Sequence, residues 1–289
     1  MRRACIDIGS NTTRLLVADC DDERLNEVHQ ERAFTRVGRG VGINGTIAPA
    51  KITEVVAVVA AQMRRAHELG AEQVLGVATA AIRRAGNGAA LVAAIRGACG
   101  LEVEILSGED EARLAFLGAA GTLGHIPSGE LGVVDVGGGS SELVVGTAPD
   151  HISWCTSFGI GSGDLYDECL HSDPPSSDEL QRARARVEAA LRGLDVPHPA
   201  EAVAVGGSAT SLRRLAGPLL DPPAFKRCFE QLAGQPAIQL ACAQELDVER
   251  VRLLPAGLLI LHAASELFGV SLQIGSGGVR EGVLLEAAG

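Results

Sequence analysis

Asp135-Val136-Gly137-Gly138-Gly139-Ser140-Ser141-Glu142 is preceded by Leu131-Gly132-Val133-Val134 and followed by Leu143-Val144-Val145. Two short apolar runs around a very tight glycine turn read as a β-hairpin, with one acid entering the turn and one leaving it. The start of the chain has the same layout. Ala4-Cys5-Ile6-Asp7-Ile8-Gly9-Ser10-Asn11-Thr12-Thr13 leads into Leu15-Leu16-Val17-Ala18-Asp19. Asp7 and Asp135 lie 128 residues apart, so the layout predicts two related lobes.

Such turns suit phosphate. Glycines remove Cβ atoms, so consecutive backbone N–H groups are able to converge on an anion. Ser10, Thr12, Thr13, Ser140 and Ser141 add hydroxyl donors. An Asp at a strand end, Asp7 or Asp135, suits Mg²⁺, which takes one or two carboxylates and keeps waters. One such motif alone is an ordinary hairpin turn; two with the Asp in register point to a phosphate clamp.

The chain has 289 residues, of which 46% are hydrophobic, enough for two domains of ordinary size with real cores. Aromatic residues are only 3%, which argues against base-stacking surfaces for single-stranded nucleic acid. The net charge of −11 argues against general binding to nucleic acid or acidic membranes. That charge is uneven: 14 basic and 15 acidic residues up to Leu123, against 11 and 21 beyond it. A polyanion therefore meets less repulsion on the N-terminal lobe. The seven cysteines are scattered without a CxxC, and no signal peptide opens the chain, so reduced thiols and a cytoplasmic location are expected. The apolar stretch Leu258 to Val270 carries His262 and Glu266 and reads as a core helix, too short to span a bilayer. The seven histidines form no metal-binding spacing.

In chain order, a three-strand meander is expected over residues 3–35, turning at Asp21-Asp22-Glu23 after the second strand. Val37 to Gly45 is expected to be a glycine-rich loop. A helix from Pro49 to Leu69, a strand Gln73–Ala78, a helix Ala89–Cys99 and a strand Glu102–Ile105 complete a lobe of βαβ character. The next helix starts at Ser107, which forms a capping box with Asp110. Glu109 and Arg113 are expected to form an exposed i,i+4 pair. Glu111 shares a face with Leu114, Ala115 and Gly118, and an inward carboxylate needs a partner or a job.

A lobe boundary is expected at Leu123–Gly129, giving lobes 1–123 and 124–289, with the last helix free to pack back on the first lobe. The second lobe continues its meander through Ile152–Thr156, followed by helices near Asp164–His171 and Asp178–Arg192. Strand Glu201–Val205 runs into Gly206-Gly207-Ser208-Ala209-Thr210, either a third anion site at a helix N-terminus or a plain strand-to-helix turn. A helix is expected after Pro255, then a strand Ser271–Ile274 and a small-residue loop through Gly282.

Taken in order, Asp7 to Thr12, Ser107 to Arg113, Asp135 to Glu142 and Gly206 to Thr210 resemble the exopolyphosphatase / guanosine pentaphosphate phosphatase (Ppx/GppA) family of the actin-like ATPase superfamily. The resemblance covers essentially the whole chain. It implies an α/β fold of two actin-like (ribonuclease H-like) lobes, a mixed sheet in each, and an active-site cleft between them. It implies Mg²⁺-dependent release of the terminal phosphate from inorganic polyphosphate or guanosine pentaphosphate, with Mn²⁺ as the alternative metal, and a homodimer. By position it implies Glu111 as the water-activating acid, and Asp135 and Glu142 as acids that hold the metal or position the nucleophile. It also implies Ser10, Asn11, Gly137, Gly138, Gly139 and Ser140 as phosphate contacts and Arg83 as a substrate contact. Gly207 and Ser208 carry the third turn.

Two departures stand out. Ala80 replaces the family's usual Ser ahead of Arg83, which removes a hydroxyl. The sequence ends at Gly289 without the helical C-terminal region of long family members, which favours short polyphosphates or nucleotides. Two rival readings remain: a kinase of the same superfamily, and a non-enzymatic sensor of an alarmone or nucleotide. Acceptor-independent phosphate release separates the hydrolase from the kinase. The inward Glu111 speaks against the sensor, and whether Glu111→Gln loses phosphate release with ligand binding retained decides between them.

Overall fold

The computed structural model describes residues 1–21 and 24–288; Asp22 and Glu23 of the expected acidic turn lie outside them. The chain forms two compact units. The first is Met1–Thr122 with Gly277–Gly289, and the second is Leu123–Ser276. The expected division at 123/124 falls one residue later than this, and the segment from Gly277 groups with the first unit rather than the second.

In the first unit the order is β1 (Arg2–Ile8), β2 (Thr13–Asp21), β3 (Arg24–Ala33), α1 (Val37–Asn44), α2 (Pro49–Glu68), β4 (Gln73–Ala78), α3 (Ala80–Arg84), α4 (Gly88–Cys99), β5 (Val103–Ile105) and α5 (Gly108–Gly121). The second unit holds β6 (Leu131–Val136), β7 (Ser141–Thr147), β8 (His151–Phe158), α6 (Ser162–Cys169), α7 (Ser177–Leu191), β9 (Glu201–Val205), α8 (Gly206–Ala216), β10 (Leu219–Leu220), α9 (Pro222–Gly234), α10 (Ala237–Gln244), α11 (Val248–Phe268) and β11 (Leu272–Ile274). Helix α12 (Val279–Glu286) closes the first unit against α5.

Both sheets are mixed and share one plan. The first runs β3-β2-β1-β4-β5 and the second β8-β7-β6-β9-β11-β10. In each, an antiparallel meander is extended on its first strand by two parallel strands that arrive through helices, and in the second sheet the short β10 then pairs antiparallel with β11. The registers repeat as well. Asp7 lies opposite Arg14 and Val77, and Asp135 lies opposite Glu142 and Val205. The 128-residue offset of the two Asp residues thus also separates the two Val residues, as a duplicated lobe requires.

Apolar side chains cover both faces of the first sheet: Ile6, Ile8, Leu15 and Val17 on one, Cys5, Leu16 and Ala18 with Leu114, Val283 and Leu284 on the other. The second unit is built around α11, whose Leu254, Leu258 and Leu261 share one buried cluster with Val134 of β6 and Leu143 of β7. That helix corrects two expectations. It begins at Val248, capped by Asp247, so Pro255 lies inside it rather than at its start. Its 21 residues are long and apolar enough to cross a membrane, yet two-thirds of the apolar window is buried within the protein, which makes it a core helix.

Val37 to Asn44 is a helix, not a loop. Three glycines in eight positions disfavour it by roughly 1 kcal/mol each. Tertiary contacts override that cost: Val37 and Val41 are buried in the core, and Gly38 N–H donates to Ser10 O at 2.8 Å. Val279 to Gly282 are likewise the first turn of α12 rather than a loop. Arg113 pairs with Glu286 of α12 instead of the expected Glu109, which couples α5 to the C-terminal helix. The seven cysteines are free thiols, and burial pushes Cys228 up to about 11.

Candidate active site

Each meander turns through four residues closed by the same hydrogen bond: Gly9 N to Thr12 O in the first unit and Gly137 N to Ser140 O in the second, both 3.0 Å. Each turn is then clamped by a helix N-terminus. In the second unit Ser162 N donates to Gly137 O at 2.9 Å, and Gly163 N and Asp164 N donate to Gly138 O at 2.9 and 3.0 Å. A trans peptide points its N–H opposite its carbonyl. Turning the carbonyls of Gly137 and Gly138 toward α6 therefore aims the N–H groups of Gly138 and Gly139 away from it. In the first unit Gly38 N and Arg36 N donate to Ser10 O and Asn11 O at 2.8 and 2.9 Å, which aims the N–H groups of Asn11 and Thr12 the same way relative to α1. Two paired amides per turn form an anion-binding concavity.

Close packing enforces this geometry. A Cβ on Gly161 would run into the backbone of Gly138 and Gly139, and one on Gly38 would lie 3.1 Å from Ser10 Cβ. Gly38, Gly161 and Ser162 thus shape the turns without lying in them. The sequence reading placed Gly38 in a loop and left Gly161 and Ser162 ahead of the helix expected near Asp164, and so missed that role. Ser10, Thr12 and Ser140 are buried, and Ser10 Oγ has no hydrogen-bond partner within the protein.

The acids flanking the turns differ between units. On β6 and β7, Asp135 and Glu142 are directly opposed, so both side chains stand on one sheet face. Both are buried. Ser157 on β8 continues the row, and its Oγ donates to Glu142 Oε1 at 2.9 Å. The N-terminus of α8 backs onto this pair, because Gly206, at φ +86°, sits where any Cβ would meet Asp135 Oδ1. The corresponding row of the first unit reads Asp7, Arg14, Arg32. Burial raises the Asp7 pKa above the ordinary carboxylate value, opposed by Arg14 and Arg280 and assisted by Glu281. Arg280 Nη1 lies 3.4 Å from Leu15 O, over the same hairpin. Asp7 thus faces two arginines where Asp135 faces a second acid, and its buried Oδ1 has no hydrogen-bond partner within the protein.

Among the described residues no group of three or more His, Cys, Asp or Glu is placed to hold a metal. The oxygen donors of Asp135 and Glu142 nevertheless fit Mg²⁺, which completes its shell with water and substrate oxygens. Gly207 and Ser208 open α8, but Ser208 is buried against Gly257 of α11 with no hydrogen-bond partner for its Oγ. Its hydroxyl therefore packs inward rather than serving a third anion site.

Glu111 is buried on the inward face of α5, whose N-terminus carries the expected Ser107–Asp110 capping box. Arg83 of α3 binds it: Nη1 donates both to Glu111 Oε1 and to Leu106 O, the latter at 2.6 Å. The inward acid that the periodicity singled out is thus held by the arginine that the resemblance singled out.

A sequence model of the Ppx/GppA phosphatase family matches residues 16–289. The chain belongs to that family. Among relatives of this Ppx/GppA member, exopolyphosphatase 2 of Mycobacterium tuberculosis is 38% identical over 230 residues, covering 74% of this chain and 70% of that protein. The Aquifex aeolicus PPX-GPPA enzyme superposes with a TM-score of 0.81 at 31% identity, over 99% of both chains. An exopolyphosphatase from Cytophaga hutchinsonii reaches a TM-score of 0.88 at 22% identity, over 100% and 98% of the two chains, and supports the fold alone. The actin-like two-lobe α/β architecture is therefore that of the family.

Proposed function

We propose that the protein hydrolyses the terminal phosphoanhydride bond of inorganic polyphosphate, with guanosine pentaphosphate as a second substrate of the same chemistry. Family membership makes it a phosphoanhydride hydrolase. The single observation that carries the reading is the buried Glu111 held by Arg83, alongside two turns that present paired amides.

The paired amides of Asn11 and Thr12 in one unit, and of Gly138 and Gly139 in the other, each suit phosphate oxygens, and Arg83 offers a guanidinium for a phosphate group. Phosphoryl transfer depends on positioning and charge neutralisation more than on covalent chemistry. Glu111 orients a water and accepts its proton as the water oxygen bonds to the terminal phosphorus. The bond from that phosphorus to the bridging oxygen breaks, and the shortened chain leaves with the electron pair. Asp135 and Glu142 would hold Mg²⁺, which when bound would supply positive charge to the phosphate oxygens.

A phosphate-release panel with Mg²⁺ over short and long polyphosphate, guanosine pentaphosphate and ATP tests the reading, with no acceptor present. Release from polyphosphate is expected. Phosphoryl transfer to an added acceptor without release of free phosphate would make the protein a kinase, and binding without release or transfer would make it a sensor.

A further inference from the structure

We infer that Ser157 is a positioning residue for the Asp135–Glu142 pair, an assignment that rests on that pair being the cation site. Three consecutive strands put the residues in one row: Ser157 opposite Glu142, and Glu142 opposite Asp135. Residues opposed in this way across an antiparallel ladder share a sheet face. Ser157 Oγ donates to Glu142 Oε1 at 2.9 Å, a hydrogen bond whose acceptor is a buried carboxylate.

The hairpin itself does not demand this hydroxyl. In the first unit the same three strands, in the same register, carry Arg32, Arg14 and Asp7. The backbone is repeated, but the second acid and the hydroxyl occur together and only in the second unit's row. Nor does core packing demand it: β8 is the edge strand of its sheet, and Ser157 is exposed.

The chemistry gives the hydroxyl a job. A glutamate must freeze several torsions to hold an ion, and it loses side-chain entropy in doing so. A donor fixed to one carboxylate oxygen restricts that rotation before the ion arrives. A hydrogen bond to an ionised group is also about twice as strong as a neutral one. Hydrogen-bond partners of metal-holding carboxylates are typically worth about 10–100-fold in metal affinity. Ser157 acts through Glu142.

The test is Mn²⁺ binding to the full chain without substrate, read from the electron paramagnetic resonance signal of free Mn²⁺, for wild type, Ser157→Ala, Ser157→Thr and Asp135→Asn. The expected result is tight binding by wild type and a loss of about 10-fold or more in both Ser157→Ala and Asp135→Asn. Ser157→Thr keeps the donor and is expected to stay close to wild type. Wild-type affinity in Ser157→Ala, with Asp135→Asn impaired, overturns the role of Ser157 and leaves the cation pair standing. Equal weakening in Ser157→Thr and Ser157→Ala also overturns it, since the loss is then one of fit rather than of a donor. Equal binding by wild type and Asp135→Asn removes the cation pair itself, and this inference with it.

Discussion

Replacing Gly206 with alanine probes how the start of α8 holds Asp135. Gly206 sits at φ +86°, a backbone conformation that disfavours any residue with a Cβ and costs about 1–3 kcal/mol. The new methyl would also lie 3.0 Å from Val136 O and 3.4 Å from Val136 N, and closer still to Asp135 Oδ1. Main-chain atoms of a central strand cannot retreat, so the Asp135 carboxylate must. Overpacking of that kind adds about 1–3 kcal/mol. Gly217→Ala is the internal control: its φ is +84° and no atom lies within 4 Å of its Cβ position, so it carries the strain without the collision. Thermal unfolding should place Gly217→Ala about 2–12 °C below wild type, and Gly206→Ala about 2–12 °C lower again, at roughly 2–4 °C per kcal/mol. Mn²⁺ affinity should fall about 10-fold or more in Gly206→Ala and hold in Gly217→Ala. Equal stability of the two variants, with wild-type Mn²⁺ binding in both, would refute the argument that α8 sets the position of Asp135.

Other consequences follow from named contacts. Glu179 accepts from the backbone N–H groups of His171, Ser172 and Ser176 and from the Ser176 hydroxyl, and these bonds lower its pKa from 4.5 to about 2, against the opposing effect of burial. A depressed carboxylate stabilises the fold above its unfolded pKa and loses that contribution as pH falls through the folded one. Denaturant unfolding should therefore show Glu179→Gln about 2–3 kcal/mol less stable at pH 7, with the gap closing between about pH 4.5 and pH 2. A constant gap across that range would rule the explanation out. At the crossing of α5 and α12, a Cβ on Gly118 would lie 2.8 Å from Gly282 N, backbone against backbone. Gly118→Ala should lower stability by about 1–3 kcal/mol, measured by urea unfolding, and wild-type stability would show that the helices separate freely.

The parts of the site legible in the sequence were the local ones. The Asp7 and Asp135 hairpins, the capping box at Ser107 and the inward face of Glu111 all follow from periods of two and 3.6 residues and from turn chemistry. What escaped was set by residues distant in sequence. The helix Val37–Asn44 contradicts its glycine content because Ser10 and Asn11 supply acceptors for its first turn. Arg113 chooses Glu286 over Glu109, its i−4 neighbour, because α12 returns to the first unit 173 residues later. Pro255 misled because packing of α11 throughout the second core outweighs the hydrogen bond that a mid-helix proline forfeits. Ser157 becomes visible only once hairpin register aligns it with Glu142.

Single-turnover phosphate release from short polyphosphate by Glu111→Gln, alongside direct binding of the same polyphosphate, puts the least between claim and result. The side chain keeps its size and loses only its charge and its capacity to accept the proton. Release should drop by about 10²–10⁴-fold while the chain is still bound. Unchanged release would mean that some other group activates the water and that the buried acid serves only to pair with Arg83.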